Sequence, residues 1–366
     1  MKLSFFQKLM LLLNVVTALC LFGAYQAPYA NPSGATWVPL LGLSYPYILA
    51  VNLLFIVYWF LFKRLFMLVS LVFIFLGWSH LQTVFALNIK PKPNEESKVF
   101  FKVMSYNVQN FDLYNWTANE ESRDNMMRLI KKENPDIVTF QEFYTQETGD
   151  FHNIQQLVNQ LDFKHFHFEK TLTLDGNRHW GLATFSKFPL SNKQSITVEG
   201  TKKGNLITYC DVEMPDTRLI RIFNVHLQSI GFGKKDYKFF KEITQTQKTP
   251  DLTASKSIVK KLNDAYAKRS KQAEILQQAI SDCKRPVVVC GDFNDTPLSY
   301  TYHTISKDLK DTFLERGFGG GGTYAGPLPS FRIDYIFVDS LFHVHDFDVI
   351  QQKYSDHYPI TTMVGY

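Results

Sequence analysis

The sequence predicts an α/β protein with mixed sheets, two of them packed face to face, preceded by three transmembrane helices. Beyond residue 98, apolar runs of strand length alternate with amphipathic helical segments. Several neighbouring strand runs are separated only by hairpin-length connections, so the strands are not all parallel. Before residue 89, long apolar runs dominate the chain. At 366 residues the chain has room for one large domain and a smaller region.

The N-terminal region, residues 1–88, contains three apolar segments at about residues 9–25, 45–62 and 65–87. Each is about long enough to cross a hydrocarbon core of ~30 Å. A cleaved signal peptide is the alternative for the first segment, but Ala-Pro-Tyr-Ala near residue 30 is a poor cleavage site. Residues 89–98 are polar and proline-rich, which predicts a linker to a second domain at residues 99–366.

Positive charges predict the orientation of these segments. The loop at 26–44 has no lysine or arginine, whereas the other flanks carry Lys2, Lys8, Lys63 and Arg64. Because positive flanks stay cytoplasmic, three crossings would place everything from Lys90 onward outside the cytoplasm. The third segment is the most polar. If it only lay on the membrane, the second domain would be cytoplasmic.

Within residues 99–366 the elements follow from periodicity and end signals. Residues 119–133 have apolar side chains at helical spacing and end at Asn134-Pro135, and residues 255–280 form a long amphipathic helix. Shorter helices are predicted at 154–161 and 299–305. Strands are predicted at 99–106, 136–140, 165–173, 181–185, 195–197, 205–213, 218–227, 286–290, 332–338 and 360–364. Residues 231–251 are rich in Lys and Phe and could form a substrate-contact loop or a solvated insertion. The glycine tract at 319–322 indicates a mobile loop near the site.

Short polar runs stand at the ends of these strands. Asp292 and Asn294 follow one apolar strand, and Asp356-His357 precede another. Asp292 and Asn294 are two residues apart, so in an extended chain their side chains would point to the same face. Glu142 closes the strand at 136–140, and a carboxylate there is costly unless it has a partner. Hard oxygen ligands at strand ends are typical of a Mg2+ site and a phosphoryl-transfer centre.

Three further residues belong to the same pattern. Asn107 follows a strand, where it could hold a water or a metal, or simply form a turn. His226 ends another strand, where it could be catalytic or a core residue. Asp334 lies within an apolar run and needs a hydrogen-bond partner, for which an imidazole such as His357 is suitable.

In order, these runs resemble the endonuclease/exonuclease/phosphatase superfamily, the group of deoxyribonuclease I, apurinic endonuclease, neutral sphingomyelinase and inositol-polyphosphate 5-phosphatase. The resemblance covers roughly residues 99–366 and nothing before them. It rests on Ser-Tyr-Asn107, Gln-Glu142, Asn-Val-His226-Leu, Gly-Asp292-Phe-Asn294-Asp, Arg-Ile-Asp334-Tyr-Ile and Ser-Asp356-His357-Tyr-Pro. Apurinic endonucleases carry Tyr at the His226 motif, so this chain is nearer to deoxyribonuclease I and the sphingomyelinases.

The resemblance implies a four-layer α/β sandwich that hydrolyses phosphoesters with Mg2+, or with Mn2+ as an alternative. It implies Glu142 as the principal metal ligand, with Asn107 and Asp356 close by. Asp292 would orient or deprotonate the attacking water, and Asn294 would hold a phosphate oxygen. His357, held by Asp334, would contact the phosphate. His226 would contact the phosphate or assist the leaving group.

The substrate class stays open at this point. The net charge of +5 fits an anionic substrate or surface without requiring nucleic acid. Nucleic acid, a phospholipid headgroup and an inositol phosphate are all candidates, the lipid bilayer is the expected partner of the N-terminal helices, and the sequence indicates no oligomeric state. The alternative function is a catalytically inactive relative that serves as a membrane-tethered binding or scaffolding module. Such a protein should lack Glu142, Asp292, Asn294 or His357, and all four are present.

Overall fold

A computed structural model describes residues 3–88, 97–201, 204–246 and 251–366. Most of the predicted linker, residues 89–96, therefore lies outside the described residues, as do four residues of the 231–251 segment.

The N-terminal helix bundle consists of helices α1–α4. Their bounds are α1 Phe5–Ala24, α2 Val38–Phe62, α3 Met67–Leu76 and α4 Trp78–Val84. Helices α1 and α2 are long and apolar enough to cross a membrane. The third predicted segment is a broken one, because Arg64–Leu76 and Trp78–Val84 are bent by 64° relative to each other. The break falls at Gly77, where a Cβ atom would lie 1.9 Å from a ring carbon of Tyr25.

Polar side chains inside the bundle explain the few polar residues in its apolar segments. Asn14 donates to Ser70 at 2.6 Å and accepts from the Trp59 indole at 3.0 Å, and Ser70 donates to Asn52 at 2.9 Å. All four side chains are fully buried. Ser70 thus holds α3 against both long helices, so the third segment returns from the Lys63-Arg64 turn toward the end of the bundle that carries the α1–α2 loop.

The remaining chain alternates strands and helices. The strands are β1 Ala86–Leu87, β2 Phe100–Asn107, β3 Ile137–Gln146, β4 His165–Leu174, β5 Arg178–Ser186, β6 Leu190–Ile196, β7 Ile207–Glu213, β8 Leu219–His226, β9 Val287–Asp292, β10 Leu309–Asp311, β11 Phe318–Gly319, β12 Asp334–Asp339, β13 His343–Val349 and β14 Ile360–Gly365. The helices are α5 Ser122–Glu133, α6 Asn153–Gln160, α7 Lys234–Thr246, α8 Leu252–Ser281, α9 Tyr300–Ile305 and α10 Thr312–Arg316.

Twelve of these strands form two six-stranded mixed sheets, which confirms the predicted fold class. One has the order β13-β14-β2-β3-β5-β4 and the other β10-β12-β9-β8-β7-β6. In each sheet a single neighbouring pair is parallel, β2 with β3 and β8 with β9. Apolar side chains of both sheets, such as Val103 and Ile336, meet in a shared core. Helices α5 and α6 cover the outer face of the first sheet, and α8 and α9 cover the second, which gives four layers.

The topology brings the predicted site residues to one end of this sandwich. Strand β2 of the first sheet ends at Asn107. Strands β8 and β9 of the second sheet end at His226 and Asp292. Strand β12 runs antiparallel to β9 and begins opposite its last residue, with Asp334 paired to Asp292. The turn before β14 carries His357 to the same end.

The helix bundle contacts the sandwich at the α1–α2 end. Leu298 packs among bundle residues such as Leu21 and Tyr45. The Arg332 guanidinium donates to the Thr83 carbonyl at 2.8 Å, and β1, which follows α4, pairs with β11. The predicted glycine loop is therefore partly a strand, Phe318–Gly319. The other predicted strands are present, although β3 and β6 extend beyond their predicted bounds. The sequence missed the strands β1, β10, β11 and β13 and the helices α7 and α10.

Candidate active site

Asp292 lies at the centre of the candidate site and is almost fully buried. Its carboxylate accepts hydrogen bonds from the Asn107 amide at 3.0 Å and from the backbone N–H of Asn294 at 2.8 Å. Gly291 makes this position possible, because its φ is +144° and a Cβ would lie 1.9 Å from the Val225 carbonyl oxygen. The carboxylate is thereby fixed at the junction of β8 and β9.

Asn294 does not lie in extended chain, contrary to the prediction. Its φ is +53°, and the turn directs its side chain back toward Asp292. The amide Nδ2 donates to the Leu227 carbonyl at 3.1 Å and to Asp292 at 3.2 Å. Both amide hydrogens are thus used within the protein, so contact with a phosphate oxygen would require one of them to be released.

Two imidazoles flank Asp292, each held by its other nitrogen. His357 Nδ1 donates to Asp334 at 2.9 Å, and His226 Nδ1 donates to the Gly204 carbonyl at 3.1 Å. The Nε2 atoms of both rings lie 3.7 Å from the Asp292 carboxylate. The predicted pairing of Asp334 with His357 is therefore present, and His226 faces the site rather than the core.

Glu142 does not end its strand, contrary to the prediction, because β3 continues to Gln146. The register with β5 shifts between Phe140 and Phe143, and Glu142 adopts a φ of +51° in this bulge. A bulge re-aims a side chain, and here it sets the Glu142 carboxylate 3.8 Å from His226 Nε2. The side chain keeps 35% of its surface exposed, so it borders the opening of the site.

Asp356 enters the site from the turn before β14. Its backbone N–H donates to the Gln109 side chain at 3.3 Å, and Ser355 donates to the Asn107 carbonyl at 2.8 Å. Asn107 Oδ1 accepts from the Gln109 N–H at 3.1 Å. This network ties the turn to the end of β2 and brings Asn107 and Asp356 into the same site.

Three carboxyl groups of the site have raised pKa values. Burial is the main cause of the raised pKa values of Glu142, Asp292 and Asp356, and negative neighbours add to it at each of the three. For His357, burial and the neighbouring charges act on the pKa in opposite directions. Burial alone would lower its pKa, but the carboxylates of Asp334 and Asp292 outweigh burial and hold the pKa well above its usual value. The protonated form of His357 is therefore favoured.

Among the described residues, Asp292, Asp334 and His357 place ligand-type atoms within 4.8 Å of one another. A cation between them is unfavourable, because Asp334 already accepts from His357 and the protonated form of His357 has no free lone pair. The carboxylates of Glu142 and Asp356, with the Asn107 amide oxygen, are the better donor set.

Sequence reasoning missed residues that line the site from loops and helices. Thr323 accepts from the backbone N–H groups of Ile333 and Asp334 at 3.0 and 3.1 Å, and so fixes the start of β12. The Tyr324 ring meets His357 edge-on at 5.6 Å. Tyr237 of α7 is hydrogen-bonded to Tyr324. The glycine tract before Thr323 was the one local signal that this segment borders the site.

The family is established by comparison with known proteins. The Endonuclease/Exonuclease/phosphatase family matches residues 104–357, which is more than half of the chain. The four-layer fold is phosphoesterase-like, and the chain belongs to this family. Residues 7–84 match a second family, described as Domain of unknown function (DUF8431). No match is found among curated proteins.

Solved structures show the same fold. An endonuclease/exonuclease/phosphatase from Beutenbergia cavernae is 19% identical with a TM-score of 0.53, covering 73% of this chain and 71% of its own. A mannosyl-6-phosphatase from Bacteroides thetaiotaomicron is 18% identical with a TM-score of 0.52, covering 73% and 100%. The human Nocturnin catalytic domain with bound sulfate is 19% identical with a TM-score of 0.50, covering 73% and 94%. At these identities the likeness concerns the fold.

Proposed function

We propose that this protein hydrolyses phosphoester bonds with the help of Mg2+, on a sandwich domain anchored in a membrane. The observation that carries the proposal is the convergence of three carboxyl groups and two oriented imidazoles at one end of the sandwich. A module used only for binding does not need a buried histidine such as His357, whose Nδ1 is held by Asp334 and whose Nε2 lies beside Asp292.

The residues fit a divalent cation. Asp292 and Asp356 both raise the pKa of Glu142, and Asp292 also raises the pKa of Asp356, so negative charge is concentrated at the site. Carboxylate and amide oxygens are the ligands that Mg2+ prefers. We assign Glu142, Asn107 and Asp356 to hold it, as the family resemblance implies. When bound, the ion would neutralise charge that develops on the phosphoryl oxygens.

The protein's own groups divide the remaining work. Asp292 is held by two amides and can accept a proton from a water placed in line with the phosphorus. The protonated Nε2 of His357 can donate to a phosphoryl oxygen, and Asp334 stabilises the positive ring. His226 donates through Nδ1 to Gly204, so its Nε2 is directed to the site for the phosphate or the leaving oxygen. Such positioning and charge stabilisation supply most of the catalysis in phosphoryl transfer.

We further propose that the sandwich faces away from the cytoplasm. The bundle contacts the sandwich at the end that carries the loop 26–44, which has no lysine or arginine. The Lys63-Arg64 turn lies at the other end of the bundle. By the positive-inside rule the Lys63-Arg64 end is cytoplasmic, so the sandwich would be outside.

The test is a hydrolysis panel with the purified full-length protein in nanodiscs and Mg2+. The panel contains DNA, RNA, a phospholipid, an inositol phosphate and bis(4-nitrophenyl) phosphate. Activity on at least one ester that falls by orders of magnitude in His226→Gln, but not in the control His165→Gln, supports the proposal. His165 lies on β4, outside the site. No hydrolysis of any ester, with the protein folded and Mg2+ present, would refute it.

A further inference from the structure

We infer that the substrate is the phosphoester of a membrane lipid, whose hydrocarbon chain lies in an apolar groove between the active site and helix α2. This inference rests on the proposed function and names the substrate class of the same site. The evidence is a cavity of about 930 Å3 that runs from the catalytic residues to the helix bundle.

One end of this cavity is the active site itself. Glu142, Asp292, Asn294, Asp356 and His357 all line it. The volume lies at the upper end of the range for sites that enclose a drug-sized ligand, about 300–1,000 Å3. A phosphoryl group fills only a small part of such a space, so the cavity accommodates a large substituent on the phosphate.

The other end, here called the apolar groove, is lined by Leu43, Phe232, Phe240, Ile258, Leu262 and Leu328. Phe232 and Phe240 contact each other edge to face at 5.2 Å. Ile258 and Leu262 of α8 are over nine-tenths buried against these rings and against Leu43. The hydroxyls of a sugar phosphate or an inositol phosphate would lose water against this wall without gaining hydrogen-bond partners, which is unfavourable.

A continuous line of aromatic residues joins the two ends. Tyr324 meets the His357 ring, Tyr237 is hydrogen-bonded to Tyr324, and Phe232 contacts Tyr237 at 6.2 Å. Two of these three contacts involve α7 or the turn before it. Phe232, Tyr237 and Phe240 therefore form part of the cavity wall, which favours a substrate-contact role for this part of the 231–251 segment.

The far end of the groove lies at the level of the membrane surface. Leu43 belongs to α2, a helix apolar enough to span a bilayer. Along the same helix it lies between Trp37, which caps the helix with 63% of its surface exposed, and Tyr47, with 52% exposed. Exposed Trp and Tyr at the end of an apolar helix are typical of the bilayer interface. A lipid can therefore enter the groove with its hydrocarbon chain leading, without passing through water.

The charge on the rim agrees with a lipid phosphate. Lys238 and Lys241 of α7 line the same cavity, and Lys238 is exposed with Glu242 at 3.8 Å. Two lysines suit one anionic headgroup at the interface. A nucleic acid would place a row of phosphates along the binding surface, which calls for many basic side chains rather than an apolar wall. The reaction is hydrolysis: the water oxygen bonds to phosphorus, one phosphorus–ester oxygen bond breaks, and the water's proton ends on the departing alcohol.

The test compares ethyl and hexyl 4-nitrophenyl phosphate, two soluble diesters with the same leaving group. Full-length protein in nanodiscs is used, below the concentration at which hexyl ester aggregates. Each methylene that leaves water for an apolar groove contributes about fourfold. After ordering costs, we expect kcat/KM for the hexyl ester to exceed that for the ethyl ester roughly 10- to 100-fold.

Two variants test whether the preference for the hexyl ester arises in the apolar groove. Leu262→Ser should lower the hexyl-to-ethyl ratio about tenfold, and Leu328→Ser, in a half-buried loop position that does not threaten folding, should lower it in the same direction. Leu341→Ser is the matched control, since Leu341 is 42% exposed in the turn before β13, away from the cavity. It should leave the ratio unchanged.

The outcomes separate the two proposals. A wild-type ratio near one, or a high ratio that Leu328→Ser and Leu262→Ser both leave intact, would overturn the lipid assignment while the phosphoesterase activity stands. Faster hydrolysis of an oligonucleotide than of lysophosphatidylglycerol in the same nanodiscs would overturn it as well. If folded protein hydrolyses neither nitrophenyl ester nor the other two compounds, the proposed function itself fails, and the lipid assignment fails with it.

Discussion

Replacement of Asp334 by Asn tests whether His357 works as an imidazolium. Both side chains are at least 95% buried, and their hydrogen bond is 2.9 Å long. Asparagine keeps the shape and can still accept from Nδ1, but it removes the negative charge. A hydrogen bond to a charged group contributes about 1.5–3 kcal/mol, so the loss predicts a decrease in kcat/KM of roughly 10- to 150-fold.

The pH profile separates this electrostatic role from a structural one. In the wild type, carboxylates hold the pKa of His357 well above its usual value. If the imidazolium is the active form, activity is lost as pH rises through that pKa. In Asp334→Asn, burial remains but one carboxylate is gone, so the pKa falls and the alkaline limb of the profile should move to lower pH.

The assay is a double-mutant cycle with Asp334→Asn and His357→Gln, with thermal unfolding measured for each variant. Since both residues act as one unit, the double variant should be about as impaired as the worse single variant. Losses that multiply, or an alkaline limb that does not move, would refute the pairing.

Three further predictions concern stability, activity and orientation. Arg332→Met should destabilise the sandwich by about 3–5 kcal/mol in thermal or chemical unfolding, because buried Asp311 would lose its ion pair at 2.5 Å; an unchanged transition would contradict this. Gly291→Ala should abolish hydrolysis, since its Cβ would overlap the Val225 carbonyl; activity near the wild-type level would show that β9 can shift. Fusions after residue 95 should give active alkaline phosphatase and dark green fluorescent protein; the reverse pattern would place the sandwich in the cytoplasm.

Much of the fold could be predicted because local patterns report burial. The apolar run before Gly291 is a central strand with polar groups at its end. This combination predicts both the sheet and the site. Asp334 is informative for the same reason, since a carboxylate inside an apolar run requires a partner. The order of such runs along the chain then indicated the family and the pairing with His357.

The rest depends on geometry that periodicity does not encode. Nothing in the residues around Glu142 indicates that β3 bulges there and continues, because the bulge is set by its pairing with β5. Asn294 takes a left-handed conformation. The two-residue spacing from Asp292 does not indicate this, because it was interpreted as extended chain. The groove beneath α7 is built by distant segments, so Leu43 and Leu262 carry no local sign of lining one cavity. At Gly77, where the third apolar segment bends, Tyr25 occupies the space that a Cβ would need, and the local sequence does not indicate this contact.

The most direct test of the central claim is a Mg2+ titration of phosphodiester hydrolysis by full-length protein, its Glu142→Gln variant and the control Glu213→Gln. Glu213 is exposed on β7, at the end of the sandwich away from the site. The account predicts that chelation abolishes wild-type activity, that Mg2+ restores it, and that Glu142→Gln loses orders of magnitude in rate at limiting Mg2+ while Glu213→Gln behaves as wild type. Wild-type turnover by Glu142→Gln at limiting Mg2+, or full activity after chelation, would contradict it.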